Sequence, residues 1–317
     1  MTYLSSTRFK LAPHKQDKIC LWGLRLFAIV IIALIVGLLI ALFHLAFPAF
    51  KELGFSFFKG TAWLPSEGIF GILPFVYGTF LTSFLAILIA GPISVASALF
   101  LSEICPKRLA SFVNLFIEIL ASIPSIIFGL WGLFYLAPWM RDTASPFLKS
   151  HFGFLPFFEG TSFGVGLLTA SLILALMIIP TITSICREIM KVVPCEQKEA
   201  ALALGATRQE MLKLAVISPS FSGIMGALML GLGRALGETM AVAMLIGNNP
   251  KISLSLFAPA STMASVIANE YSEAVSSLHT SALCAVAVVL FFISLLINVL
   301  ARVIVWRFAP LSNRSRG

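Results

Sequence analysis

The chain has 317 residues, of which 59% are hydrophobic and only 11% charged, with a net charge of +8. A soluble domain is roughly 25% charged, so too few charged side chains exist here to cover a globule and the surplus apolar surface faces lipid. The mean hydropathy of +0.99 excludes a soluble globular protein, a disordered chain and a disulfide scaffold.

A spanning helix needs about 20 mostly apolar residues. In chain order the stretches that qualify are Leu26–Phe47, Phe75–Leu101, Phe112–Leu136, Phe163–Ile185, Phe221–Gly247 and Ser281–Ala301. The expectation is an all-α membrane protein with six transmembrane helices. Lys and Arg set its orientation. With the N-terminus inside, sixteen of the 22 basic residues fall on the cytoplasmic side, five fall outside, and Arg234 remains within a span. Both termini are therefore expected in the cytoplasm, and the positive charge reads as topology rather than nucleic-acid binding. The division is a tail 1–25, a first helix with its outer loop 26–74, a transmembrane core 75–301 and a tail 302–317. Within the core, 187–220 is a long cytoplasmic loop. The outer connections Pro48–Pro74, Pro138–Ser162 and Asn248–Thr280 are rich in aromatics, Gly and Pro and read as irregular interfacial loops.

Pro92, Pro124 and Pro180 lie inside apolar runs. Each frees a backbone carbonyl that can line a cavity or a hinge. Small polar residues flank two of them, Ser122 and Ser125, then Thr181 and Thr183. Glu118 is an acid within the third stretch.

The cytoplasmic loop has its own pattern. Pro194 suits a first helical turn, and Glu196 and Glu199 lie early, where the helix dipole favours acids. Ala200 to Leu204 are strong helix formers. Gly205 then stops the helix as a C-terminal cap. Thr207 opens a second helix, with Glu210 three residues on to complete a capping box. The expected unit is helix, glycine turn, helix. Its small apolar residues Ala200, Ala201 and Ala203 suit insertion into a groove on a partner.

The fifth stretch holds two charges, Arg234 and Glu238, in the run Gly231 to Met244. A mid-membrane charge costs about 2.5–3.5 kcal/mol on insertion scales and marks a functional site by default. A spacing of four puts the two on one helical face, where they can pair. A guanidinium there can bind an oxyanion through forked hydrogen bonds. Gly233 and Gly237 have the same spacing and would admit a close helix neighbour.

Glu199-Ala200-Ala201 followed by Gly205 resembles the EAA loop of ABC importer permeases. The run 231–241, with Gly247-Asn248 after it, resembles the C-type permeases of phosphate-specific ABC importers. Gly78-Thr79, Leu101-Ser102-Glu103, Glu118 with Ala121 to Ser125, and Gly129 to Gly132 add to that resemblance, which covers roughly 70–305. The family's closing hydrophobic-Leu-Pro is replaced by Val216-Ile217-Ser218, with the proline one place later, at Pro219. The resemblance implies a type I ABC importer permease fold in a bacterial inner membrane. It implies that Glu199, Ala200, Ala201 and Gly205 dock on an ATPase, and that Arg234, Glu238, Thr239 and Glu118 line a phosphate path. The implied partners are a second related permease in a pseudo-twofold heterodimer, two ATPase subunits, an extracytoplasmic phosphate-binding protein and membrane lipid.

Catalytic machinery is not expected in this chain. It has no Gly-Lys dipeptide, hence no P-loop. His14, His44, His151 and His279 are scattered, and the five cysteines form no C-x-x-C. No cofactor or metal is expected here, with ATP and magnesium on the partner ATPase. Alternative readings are a secondary anion transporter or channel without an ATPase, a permease for sulfate or molybdate, and a membrane scaffold whose charges are structural.

Overall fold

The computed structural model describes residues 13–308. The tail residues Arg8, Lys10, Arg314 and Arg316 lie outside the described residues. Among the described residues five helices are long and apolar enough to cross a membrane, or six if one bent pair counts as a single span.

The first helix, α1 (Pro13–Lys59), overruns its apolar stretch at both ends. The irregular loop expected from Pro48 is helix instead. Ala46, Ala49, Lys51 and Glu52 favour helix, and membrane helices tolerate proline. The axis breaks at Gly54, with φ 51° and ψ −134°, a conformation open to glycine alone at little cost. A short antiparallel hairpin follows, β1 (Trp63–Leu64) and β2 (Ile69–Phe70), with Trp63 opposite Phe70. Helix α2 (Leu73–Leu99) closes in a π-turn, Phe100–Ile104.

Span three is broken. Helix α3 (Lys107–Ser122) ends, α4 (Ser125–Trp131) begins, and the two courses meet at 91°. Ile123 and Pro124 between them are extended, with ψ 129° and 138°. Proline pushes the preceding residue out of the α region, and Ile is itself β-branched. Pro180 also follows an isoleucine, yet it stays inside α7 (Leu167–Lys191). Packing decides between them: α7 is gripped by α2, α3 and α10, whereas α3 rests mainly on α7 alone. Beyond α4, a second expected loop is helical: α5 (Ala137–Trp139) and α6 (Ser145–Phe152) are joined by π-turns, with proline in the first turn of each.

The expected helix–turn–helix unit is α8 (Cys195–Ala203), α9 (Arg208–Met211) and a π-turn, Leu212–Ile217. It leads into α10 (Ser218–Gly237), then α11 (Met240–Leu245), α12 (Met263–Glu270) and α13 (Ser277–Phe308). The loop before α12 folds over the start of α7. Leu167 and Leu168 N–H donate to the Ala258 and Leu256 carbonyls at 3.2 and 2.9 Å, which satisfies donors that a helix start leaves open.

Two apolar cores result. The larger is built on α7, with Ile173, Leu174, Ile178 and Ile182 against α2, α10 and α11. The smaller joins the hairpin, α1, the start of α2, α12 and α13 through Phe57, Trp63, Phe75, Met263 and Leu283. Glycine sets the closest approaches. A Cβ at Gly78 would lie 2.1 Å from the Ser261 carbonyl oxygen, and one at Gly132 2.6 Å from Leu245 Cδ1.

Candidate functional site

Arg234 lies in the last turn of α10 and is half-buried. Its Nη1 donates to Thr181 Oγ1 at 2.9 Å. Thr181 stands near the middle of α7, one residue past Pro180, so the guanidinium sits at mid-height in the bundle.

The expected partnership with Glu238 is not formed. Among the described residues no ion pair involves Arg234. The i,i+4 geometry requires a continuous helix, and α10 stops at Gly237. Glu238 is extended, with φ −70° and ψ 126°. Its Oε1 turns forward and accepts the Ala241 N–H at 3.3 Å, at the start of α11, where a negative charge is favoured. Thr239 donates back to the Gly237 carbonyl at 3.2 Å. Span five is thus broken like span three. The second pieces of both, α4 and α11, pack together through Gly129, where a Cβ would come 2.8 Å from Met244 Sδ. A guanidinium has five N–H donors, and Thr181 occupies one of those on Arg234.

Close glycine packing on α10 falls elsewhere than expected. A Cβ at Gly233 would reach Asn298 of α13 only at 3.9 Å, and one at Gly237 would meet nothing within 4 Å. The tight contacts are at Gly231 and Gly223, 2.5 Å from Ile182 and 2.7 Å from Ile189 on α7.

Glu118 is exposed on α3 and accepts from Asn114 Nδ2. Asn114 in turn accepts from Arg187 Nη1 at 2.6 Å. Glu118 therefore joins a second arginine rather than Arg234. Arg187 is 7% exposed, and Glu188 Oε1 lies 3.1 Å from its Nη1. Counting it among surface cations missed it. The signal available was its position two residues after an apolar run ending at Ile185.

The helix–turn–helix unit from Cys195 to Met211 matches its expected form. Gly205 has φ +86°. Its N–H reaches the Leu202 carbonyl at 3.0 Å, and the Ala206 N–H reaches Ala201 at 3.2 Å, the two bonds of a Schellman cap. The capping box is complete: Glu210 N–H donates to Thr207 Oγ1, and the Thr207 N–H to Glu210 Oε2. Helix α8 has two faces. Glu196, Glu199, Ala200 and Ala203 are exposed, and Leu204 just beyond is 89% exposed. Ala201 is half-buried against the bundle, so the alanines do not share one face.

Bonds from Thr207 hold the Glu210 carboxyl below its ordinary value of 4.5. A lowered folded value means that the cap's contribution is complete above the ordinary value and is lost as pH falls through the folded one. Thr207→Ala is expected to weaken the start of α9 by about 1 kcal/mol. Faster amide exchange over 208–211 at neutral pH would show it, and the difference from the parent should shrink in acid.

The architecture is that of a multi-pass membrane permease. The chain belongs to the family described as binding-protein-dependent transport system inner membrane component, whose profile matches residues 90–310. It is 46% identical over 284 residues to the phosphate transport system permease protein PstC of Mesorhizobium japonicum, covering 88% of this chain and 87% of that one. It is 42% identical over 294 residues to PstC of Pasteurella multocida, with 92% of each covered. The probable PstC of Methanocaldococcus jannaschii is 38% identical over 266 residues, 81% of this chain and 84% of that one. Among solved structures, a chain of a bacterial alginate ABC transporter superposes with a TM-score of 0.63 at 17% identity, over 93% of this chain and 96% of that one. A chain of the MetNI methionine ABC transporter gives 0.50 at 22% identity, over 75% and 94%. These likenesses establish the type I ABC importer permease fold.

Proposed function

We propose that the chain forms half of the translocation path of an ATP-driven importer for inorganic phosphate. The observation that carries this is Arg234, a guanidinium at mid-height whose partner is the neutral Thr181 hydroxyl. A fixed positive charge with uncommitted donors in forked geometry suits an oxyanion. A hydroxyl partner lets the anion come and go without displacing a carboxylate. The relatives named for phosphate transport support that substrate. Glu238 and Thr239 flank the break one turn beyond and belong to the same path. Glu118 would act further along α3, through Asn114.

The exposed face of α8, with Glu199 and Ala200, is the docking surface for an ATPase that holds ATP and magnesium. Gly205 sets its exit angle. In this reading α8 and both termini face the cytoplasm of a bacterial inner membrane. A related second permease completes the path, two ATPase subunits drive it, and an extracytoplasmic protein delivers phosphate. A secondary transporter would have no use for an outward coupling face.

The test is uptake of labelled phosphate into proteoliposomes containing this chain, the second permease and the ATPase, with binding protein supplied. Uptake is expected only with ATP, and sulfate or molybdate at equal concentration should leave it unchanged. Uptake without the ATPase would overturn the reading, as would equal transport of sulfate.

A further inference from the structure

Helix α8 is tied to the bundle by one ion pair. Lys198 Nζ lies 2.7 Å from Glu103 Oε1, with side chains 17% and 8% exposed. The pair joins residues 95 apart in sequence. The other ion pairs among the described residues join residues nine or fewer apart. Lys198 and Ala201, three residues apart, share the inner face of α8, while Glu196, Glu199, Ala200 and Ala203 face away. Glu103 lies in the π-turn that closes α2. Helix α2 packs along α7 more extensively than any other pair of helices in the described chain. Helix α7 carries Thr181, which holds Arg234.

We propose that the Lys198–Glu103 pair is the strut that passes movement of α8 into α2, and so to the arginine site. This rests on the transport function proposed above. Buried pairs add little net stability but fix geometry, because either charge left alone is strongly unfavourable. Such a link resists both pulling and pushing. Ala201, an apolar contact without direction, cannot transmit a pull. Lys198 and Glu103 are positioning residues: neither touches the transported anion.

The experiment uses the reconstituted complex and measures phosphate taken up per ATP hydrolysed, alongside ATP hydrolysis itself. Lys198→Glu and Glu103→Lys should each lower that ratio by about tenfold or more, with hydrolysis continuing. The double exchange should restore the ratio to within about threefold of the parent, since the same pair is rebuilt in reverse. Should the single variants fail to assemble, Lys198→Met with Glu103→Met removes both charges and fills the same space. That variant should assemble and hydrolyse ATP with a low ratio. A parental ratio in the single variants or in the paired methionine variant would overturn the strut, and so would a double exchange as defective as the singles. A parent complex that takes up no phosphate with ATP would instead fail the transport reading.

Discussion

Arg234→Gln is expected to abolish ATP-driven phosphate uptake while the protein still inserts and assembles. The amide keeps a hydrogen bond to Thr181 but carries no charge. Arg234 pairs with no carboxylate among the described residues, so its loss strands no acid. Glu238 keeps its Ala241 N–H bond in the variant. Assembly and transport should therefore separate in a single substitution, with uptake down by about a hundredfold or more. Arg234→Lys keeps the charge but loses the fork, and a drop of about tenfold is expected. Labelled phosphate uptake at matched membrane levels decides. Near-parental uptake in Arg234→Gln would show that the arginine is structural.

Gly205→Val should uncouple hydrolysis from transport without preventing insertion. A Cβ there meets nothing within 4 Å, so crowding is not the cause. The cause is φ +86°, which costs an L-residue about 1–2 kcal/mol and a β-branched one more. That cost is too small to unfold six packed spans. It is large enough to unwind a cap held by two hydrogen bonds, and the end of α8 would re-aim. Phosphate-stimulated hydrolysis in the purified complex should fall about tenfold or more. Gly205→Asn, which enters the left-handed region more readily, should retain most of it. Unchanged stimulation in Gly205→Val would remove α8 from the coupling role.

Local chemistry was legible in the sequence wherever it acts over a few residues. The apolar runs are read off the chain directly, and the Gly205 stop and the Thr207–Glu210 box depend on neighbours within five positions. The breaks were not. Ile123-Pro124 and Ile179-Pro180 are alike in sequence, and only the packing around α7 tells them apart. The pairing of Arg234 with Glu238 assumed a continuous helix, and the stop at Gly237 removed that premise. The Lys198–Glu103 contact and the burial of Arg187 are products of the assembled bundle. Spacing along the chain carries no sign of either.

The pairing of α1 with α13 sets an order of assembly. Helix α1 has its main helical neighbour in α13, more than two hundred positions later. Along α1, Leu24, Phe27, Ile31 and Leu34 are all exposed in the folded chain, so docking on α13 does not bury them. During synthesis α1 therefore inserts first and waits as a lone helix, stable in lipid because its backbone bonds are internal. The larger core needs only elements from α2 to α11 and can close while α1 drifts beside it. Docking comes last, when α13 leaves the ribosome. A chain stopped before Ser277 should hold a closed α2–α7–α10 core with α1 undocked.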